Sequence, residues 1–318
     1  MKTVIRILKI ALAFSLLFWI FKSNNITLSI FTNKSIDWKF IGLALLIPSI
    51  INPIIATNRW KSFLKESNIE EPFFTLLKIQ LKSQFLGLAL PSTQGQDAVR
   101  MLMIGKKHAE KAGAAASTVI IERIWGFSLY LLFALFSTLF APNIPNKNTI
   151  LIIILTVAII LFFVVLLLLQ KNLIETLFKL FPQKSWLLKI KSFLVQISSS
   201  IRSFPIKKVF WKTSALIFLF QFLTIVCVAL IFQSLGSKIP FEYHLVFYPI
   251  IAIISIVPIT FGGFGIREGF FAYFYALIGV NKEISLFASL LVYFLLILSP
   301  AILGGIIYIL EHLITKDE

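Results

Sequence analysis

Three stretches of the 318-residue chain carry side chains that could do chemistry. The first is Pro91-Ser-Thr-Gln-Gly95-Gln-Asp97-Ala-Val-Arg100. The second is Glu122-Arg123-Ile-Trp-Gly126, and the third is Pro258-Ile-Thr-Phe-Gly262-Gly263-Phe-Gly265-Ile-Arg267-Glu268-Gly269. Proline ends a helix because it has no amide proton and clashes with the preceding turn. Glycine allows the chain to reverse. Amides freed at the start of the next half-helix can face an anion. Arginine adds a planar fork that fits phosphate or carboxylate.

The first and third stretches align without a gap. Pro91 matches Pro258, Thr93 matches Thr260, Gly95 matches Gly262 and Arg100 matches Arg267, with Val99 resembling Ile266. Each follows an apolar run. Paired broken helices in two halves of a membrane protein point to a transport site at a repeat interface; the plainer alternative is two unrelated tight turns. Arg267-Glu268 and Glu122-Arg123 lie inside apolar stretches, where each charge costs roughly 2.5–3.5 kcal/mol on insertion scales. They must face protein or a wet cavity. Neighbours on a helix point about 100° apart, so the expected pairs cross between stretches, Glu122 with Arg267 or Arg123 with Glu268. A purely structural ion-pair network is the competing reading.

The elements that must hold these residues follow from composition. Hydrophobic residues make up 58% of the chain and charged residues 14%. A soluble domain carries about 25% charged residues, so an ordinary cytosolic enzyme, a disordered protein and a disulfide-rich module are excluded. The expectation is an all-α polytopic membrane protein, a single integral membrane domain over residues 1–318. One cysteine, Cys227, and three scattered histidines leave no thiolate cluster or histidine metal site. No nucleotide-binding phosphate loop is present, and no cofactor is expected. The net charge of +16 sits in gaps between apolar runs, which suits anionic headgroups and topology rather than nucleic acid.

A spanning helix needs about 20 mostly apolar residues. The runs are Val4–Phe21, Ile36–Thr57, Ala114–Phe140, Ile150–Leu169, Trp211–Leu235, His244–Phe261 and Ser285–Leu310, with a short eighth, Gly269–Val280. Between Lys65 and Arg100, the segment Phe73–Leu90 carries Lys78 and Lys82 one turn apart beside Gln80 and Gln84. A lipid-facing span does not tolerate that row, so it reads as a re-entrant or interfacial helix. Loop charges place Lys106, Lys184 and both termini in the cytoplasm and Lys147 on the other side. The 171–210 region is a basic loop in which Trp186, Leu187, Ile190, Phe193, Leu194, Ile197 and Ile201 keep helical spacing. It reads as an amphipathic helix in the inner interface.

In that order and spacing, the three stretches resemble the lysylphosphatidylglycerol synthase transmembrane-domain family, also called flippase-like. The resemblance runs from about Val4 to about Leu310. The family's first motif usually reads Gly-Gly-Asp, and here Gln96 replaces the second glycine. The resemblance implies an inner-membrane protein that handles a phospholipid or polyprenyl-linked lipid. In the aminoacyl-phosphatidylglycerol enzymes such a domain moves the lipid between leaflets, while a separate soluble domain transfers the aminoacyl group. The chain ends at Glu318, soon after its last span, and that catalytic domain is not expected in it.

The leading expectation is therefore a lipid translocase rather than an enzyme. Arg100, Arg123 and Arg267 would pair with the headgroup phosphate, and loop amides near Gly95, Gly262, Gly263 and Gly265 would add donors. Asp97, Glu122 and Glu268 would couple an ion or proton, or serve as ion-pair partners. The partners are a membrane phospholipid or polyprenyl-linked lipid and anionic headgroups at the cytoplasmic face, with self-association left open. The alternatives are an intramembrane transferase on a lipid substrate, like a phosphatidylglycerol lysyltransferase, and a small-solute transporter.

Overall fold

The structure, a computed structural model, describes residues 36–90, 95–140, 144–170, 176, 178–179, 185–255 and 265–314. The run Val4–Phe21, the loop positions Gly262 and Gly263, and Lys184 lie outside them. The described residues are helical with short connections. Five helices are long and apolar enough to cross a membrane.

The first, α1, spans Trp38–Glu66. Its 29 residues make about 43 Å of helix against a hydrocarbon core of about 30 Å. Asp37 caps it by accepting from the Lys39 amide at 3.0 Å. Pro48 and Pro53 cannot donate to the preceding turn, and the helix absorbs them by a π turn at Ile47–Ile51. Two shorter helices follow, α2 at Phe73–Gly87 and α3 at Gly95–Lys107. Then come α4 at Ala112–Phe140, α5 at Lys147–Leu169, α6 at Ser185–Ser203 and α7 at Ile206–Ser234. A second short pair is α8 at Phe241–Ile254 and α9 at Ile266–Ala276. The last helix, α10, spans Lys282–Leu313 and holds a π turn at Phe294–Leu298, just ahead of Pro300.

Helices α2 and α3 form an antiparallel hairpin. Glu71 meets Lys107 and His108 at its open end, and Gln80 meets Arg100 further in. The arms touch where the chain reverses. A Cβ built on Gly95 would lie 2.4 Å from the Gly87 carbonyl oxygen, and one on Gly87 would lie 2.4 Å from the Gln96 amide nitrogen. Only hydrogen fits between backbones this close. The close approach thus rests on Gly87 and Gly95, which leaves position 96 free for glutamine.

Helices α8 and α9 form a second hairpin. His244 Nδ1 and the Tyr275 hydroxyl are 2.8 Å apart, and the Phe247–Phe274 and Tyr248–Phe271 rings pair further in. The runs His244–Phe261 and Gly269–Val280 read as two crossings in sequence; here their described residues pack as two arms of one hairpin. At 14 and 11 residues, about 21 and 16 Å of helix, each described arm is shorter than the hydrocarbon core. Gly265 starts the second arm at φ 84°, a conformation that favours glycine. Either path brings the end of α10 to the end where α1 finishes.

The hairpins enter from opposite ends. The outer ends of α8 and α9 share a pocket with Pro145, between α4 and α5. The Asp37 amide, at the start of α1, donates to Ser234 at the end of α7. The hairpin of α2 and α3 opens at the other end of α1, beside Lys65 and Glu70. Arg267 lies 167 positions after Arg100, and the same offset carries α1 onto α7 and α2 onto α8 to within one residue at every boundary. The chain thus repeats span, hairpin, span, with the second copy inverted.

Each hairpin is clasped by the other copy's closing span. Helix α2 packs on α10, where a Cβ on Gly304 would lie 1.9 Å from the Leu81 carbonyl oxygen. Lys78 and Lys82 both pair with Glu311 of α10, at 3.3 and 2.5 Å. That resolves the charged row on Phe73–Leu90. Helix α8 packs on α4, with the Tyr130 and Tyr248 rings 6.4 Å apart. Helix α5, by contrast, leaves Ile152, Leu155, Ile159, Phe162 and Phe163 exposed as an apolar outer surface. Helix α6 lies on α4 and α5, with Ile197 and Ser198 buried.

Candidate functional site

The centre of the protein holds five ionisable side chains from three helices. Arg59 comes from α1, Asp97 and Arg100 from α3, and Glu122 and Arg123 from α4. Glu122 receives Arg59 on one oxygen and has Arg100 3.1 Å from the other. Asp97 receives both the Nε and Nη2 of Arg123, the latter at 2.8 Å, with Arg100 3.4 Å away. Arg100 donates a further bond to Gln80 Oε1 at 2.8 Å and lies 4.8 Å over the Trp60 ring. Trp60 is itself held by Thr118 at 3.2 Å. Arg59 lies over Phe220 at 5.1 Å.

Three arginines face two carboxylates, so the cluster holds one surplus positive charge. Isolated charges are costly away from water, and burial is tolerated when they are paired and hydrogen-bonded. Arg123 is the cluster's opening to the outside: its side chain is 34% exposed, against 2% for Arg100. The cluster borders a cavity of about 190 Å³. Gln96 and Arg100 reach it from the first hairpin and Tyr248 from the second, so the two inverted hairpins flank one space. Pro48 and Pro300 also line it, and between the π-turn segments Ser49 and Ser299 hydrogen-bond at 2.9 Å.

Arg267 and Glu268 form a separate network. Glu268 sits at the third position of α9 and accepts from the Gly265 amide at 2.6 Å, closing the helix start. That fold-back brings its other oxygen against Arg267, so the neighbours pair with each other. Arg267 also donates to Ser289 at 3.1 Å and lies 4.8 Å over the Tyr293 ring. The expected cross-pairs, Glu122 with Arg267 and Arg123 with Glu268, therefore do not form. Glu122 is taken by Arg59 and Arg100, and Arg123 by Asp97. Ser289 stands at the same 167-position offset from Glu122 as Arg267 does from Arg100. In the second copy a hydroxyl replaces the facing carboxylate, and the acid has moved next to the arginine.

Of the residues singled out in sequence, Asp97, Arg100, Glu122 and Arg123 come together at the cavity. Gly95 sits at the tip of the first hairpin, against Gly87, and Gly265 at the start of α9; Arg267 and Glu268 are buried next to Gly265 in the second network. Arg59 lies just past the apolar run Ile36–Thr57, where hydropathy alone makes it a flanking charge. Its signal was the polar run Thr57-Asn58-Arg59-Trp60, which continues the α1 helix rather than leaving it. Gln80, Gln84, Asn52 and Gln221 were missed as cavity residues as well. Gly126 has a defined role: its carbonyl accepts from the Gln221 side chain.

At the open end of the first hairpin, Glu71 accepts from Lys107 at 2.6 Å and meets His108 at 2.8 Å. Burial alone would raise its pKa, but the hydrogen bonds with Lys107 and His108 outweigh it and hold the carboxyl below the usual range. Among the described residues no group of three histidine, cysteine or acidic side chains is placed to hold a metal ion.

The profile of the family described as lysylphosphatidylglycerol synthase TM region matches residues 6–304. The chain is also similar to UPF0104 membrane protein PH1989 of Pyrococcus horikoshii, with 27% identity over 334 residues that cover 96% of each chain. No solved structure matches it significantly. With a family match across nearly its whole length, this helical, multi-spanning chain belongs to the lysylphosphatidylglycerol synthase transmembrane-region family.

Proposed function

We propose that the protein binds the anionic headgroup of a membrane lipid in the cavity between its two hairpins and carries it from one leaflet to the other. The observation that carries this reading is the surplus guanidinium charge on a cavity at the repeat interface. Arg59, Arg100 and Arg123 would receive the phosphate, with Arg123 as the first contact because it is the most exposed. Inverted hairpins that open at opposite ends give each leaflet an equivalent route to one central site. The end bearing Lys65, Lys106, Lys107 and Lys111 would face the cytoplasm.

The carboxylates favour binding over transfer chemistry. A general base must be free to take a proton from the reacting group. Asp97, Glu122 and Glu268 are each engaged by arginine.

The test is lipid transfer in reconstituted vesicles that carry a head-labelled anionic phospholipid in one leaflet. Wild-type protein should speed the loss of asymmetry, and Arg123→Gln should slow it at least tenfold at equal folded protein. Unchanged transfer in Arg123→Gln would remove the cavity from the mechanism. A new lipid species in the vesicles would replace carriage by transfer chemistry.

A further inference from the structure

We infer that the corner between α6 and α7 is a docking surface for the anionic headgroups of the cytoplasmic leaflet, separate from the cavity. Lys207, Lys208, Trp211 and Lys212 of α7, with Arg202 at the end of α6, collect anionic phospholipid there. The surface stands whether or not the cavity carries lipid.

Sequence sets its charge and its direction. The chain carries no acid from Thr176 to Phe241. The first two turns of α7 read Ile206-Lys-Lys-Val-Phe-Trp-Lys212. At about 100° per residue, Lys207, Lys208, Trp211 and Lys212 fall within an arc of about 140°, while Ile206, Val209 and Phe210 fall on the opposite side. The four residues of the arc and Arg202 are exposed, and Val209 is buried. Val209 packs with Phe63 of α1 and Ile121 of α4, against Ile201, Phe204 and Ile206. Phe204 and Pro205 alone link α6 to α7, and the Phe63 and Phe204 rings lie 5.7 Å apart. A packed base thus holds the basic strip outward. Phe63 belongs to the last turn of α1, so the strip sits at the end assigned to the cytoplasm.

The strip also lies at the right depth. The 29 residues of α7 make about 43 Å of helix, against about 30 Å of hydrocarbon and about 40–45 Å with the headgroup layers. Its end turns therefore reach the headgroups. Trp211 is 81% exposed, and an indole among lysines suits the boundary between headgroup and chain. A tryptophan and a lysine also anchor a span in any bilayer, whatever its charge. Anchoring alone does not call for this much charge: the far end of the same helix, Ile231–Ser234, carries none. Glu66 meets Lys208 at 3.9 Å, the outer limit of an ion pair, and leaves most of the positive charge to be met by lipid phosphate.

The test uses the full chain in phosphatidylcholine nanodiscs. Cys227 is buried, so a cysteine placed at the exposed Ser203 takes a fluorophore that reports on this corner. Brominated-chain lipid is then added as a minor component and its quenching compared between headgroups. Phosphatidylglycerol and phosphatidylserine should each quench at least roughly threefold more than phosphatidylcholine at about 0.1 M salt. The advantage should vanish near 1 M salt, where the screening length falls to about 3 Å. Lys207→Gln/Lys208→Gln/Lys212→Gln should remove it at low salt, and arginine at the same three positions should keep it. Equal quenching by charged and neutral lipid would overturn the inference and leave a plain anchor for α7. So would an advantage that survives high salt or the glutamine variant. An advantage lost in Arg123→Gln would assign it to the cavity instead.

Discussion

Arg59 and Glu122 lie 63 positions apart and form an ion pair buried between α1 and α4. Arg100 reaches the same carboxylate from the first hairpin, so one acid ties two spans and a hairpin together. Removing it leaves three arginines with Asp97 alone. Glu122→Gln should lower stability by about 3–5 kcal/mol, the usual cost of stripping the partner from a buried charge. Adding Arg59→Met should recover most of that loss. Thermal unfolding in detergent of the single and double variants measures both.

The Arg267–Glu268 network should behave as structure. Arg267→Ala should destabilise by about 3–5 kcal/mol, because Glu268 is fully buried and loses its main cation. The double variant Arg267→Ala/Glu268→Gln should recover folded protein and keep vesicle lipid transfer within about threefold. A stable but inactive double variant would restore Arg267 as a headgroup ligand.

Two glycine substitutions separate packing from propensity. Gly304→Ala drives a methyl group into the Leu81 carbonyl and should cost at least about 1–3 kcal/mol by overpacking the α2–α10 contact. Gly269→Ala meets nothing within 4 Å on a helix and should be neutral or stabilise by up to about 1 kcal/mol. Yields of folded protein and melting temperatures rank the two.

Acid should loosen the open end of the first hairpin. The Glu71 carboxyl is held below its unfolded value, so its contribution is present above the usual carboxylate range. It is lost as pH falls through the lowered value. Glu71→Gln should therefore cost about 1 kcal/mol near neutrality. The gap between variant and wild type should close as the carboxyl protonates, seen in unfolding curves from pH 7 down to about pH 3.

Cysteine labelling tests the hairpins. Positions Lys106 and Glu70 should label from one side, and Lys147 and Lys238 from the other. A cysteine at Ser255, near the inner end of α8, should label from neither side. Labelling at 255 from the side that reaches Lys106 would restore a full crossing for His244–Phe261.

Composition and hydropathy by themselves determined an all-helical membrane chain, because a bilayer-crossing helix must hydrogen-bond its own backbone and display apolar side chains for about 20 residues. The types and order of residues at Pro91…Arg100, Glu122-Arg123 and Pro258…Glu268 were enough to mark the special positions and the family. Lys78 and Lys82 were enough to rule out a lipid-facing span for α2. Tertiary structure decided what these residues meet. Arg59 looked like a loop charge because hydropathy averages over a window, whereas the ion pair with Glu122 depends on α1 continuing for two more turns against α4. Arg267 looked like a partner for Glu122 because helix geometry sets adjacent side chains apart. The fold-back of Glu268 onto the Gly265 amide overrides that local rule. The apolar runs at α8 and α9 look the same whether they cross or turn back. Only packing against α4, where Tyr248 meets Tyr130, makes them a hairpin.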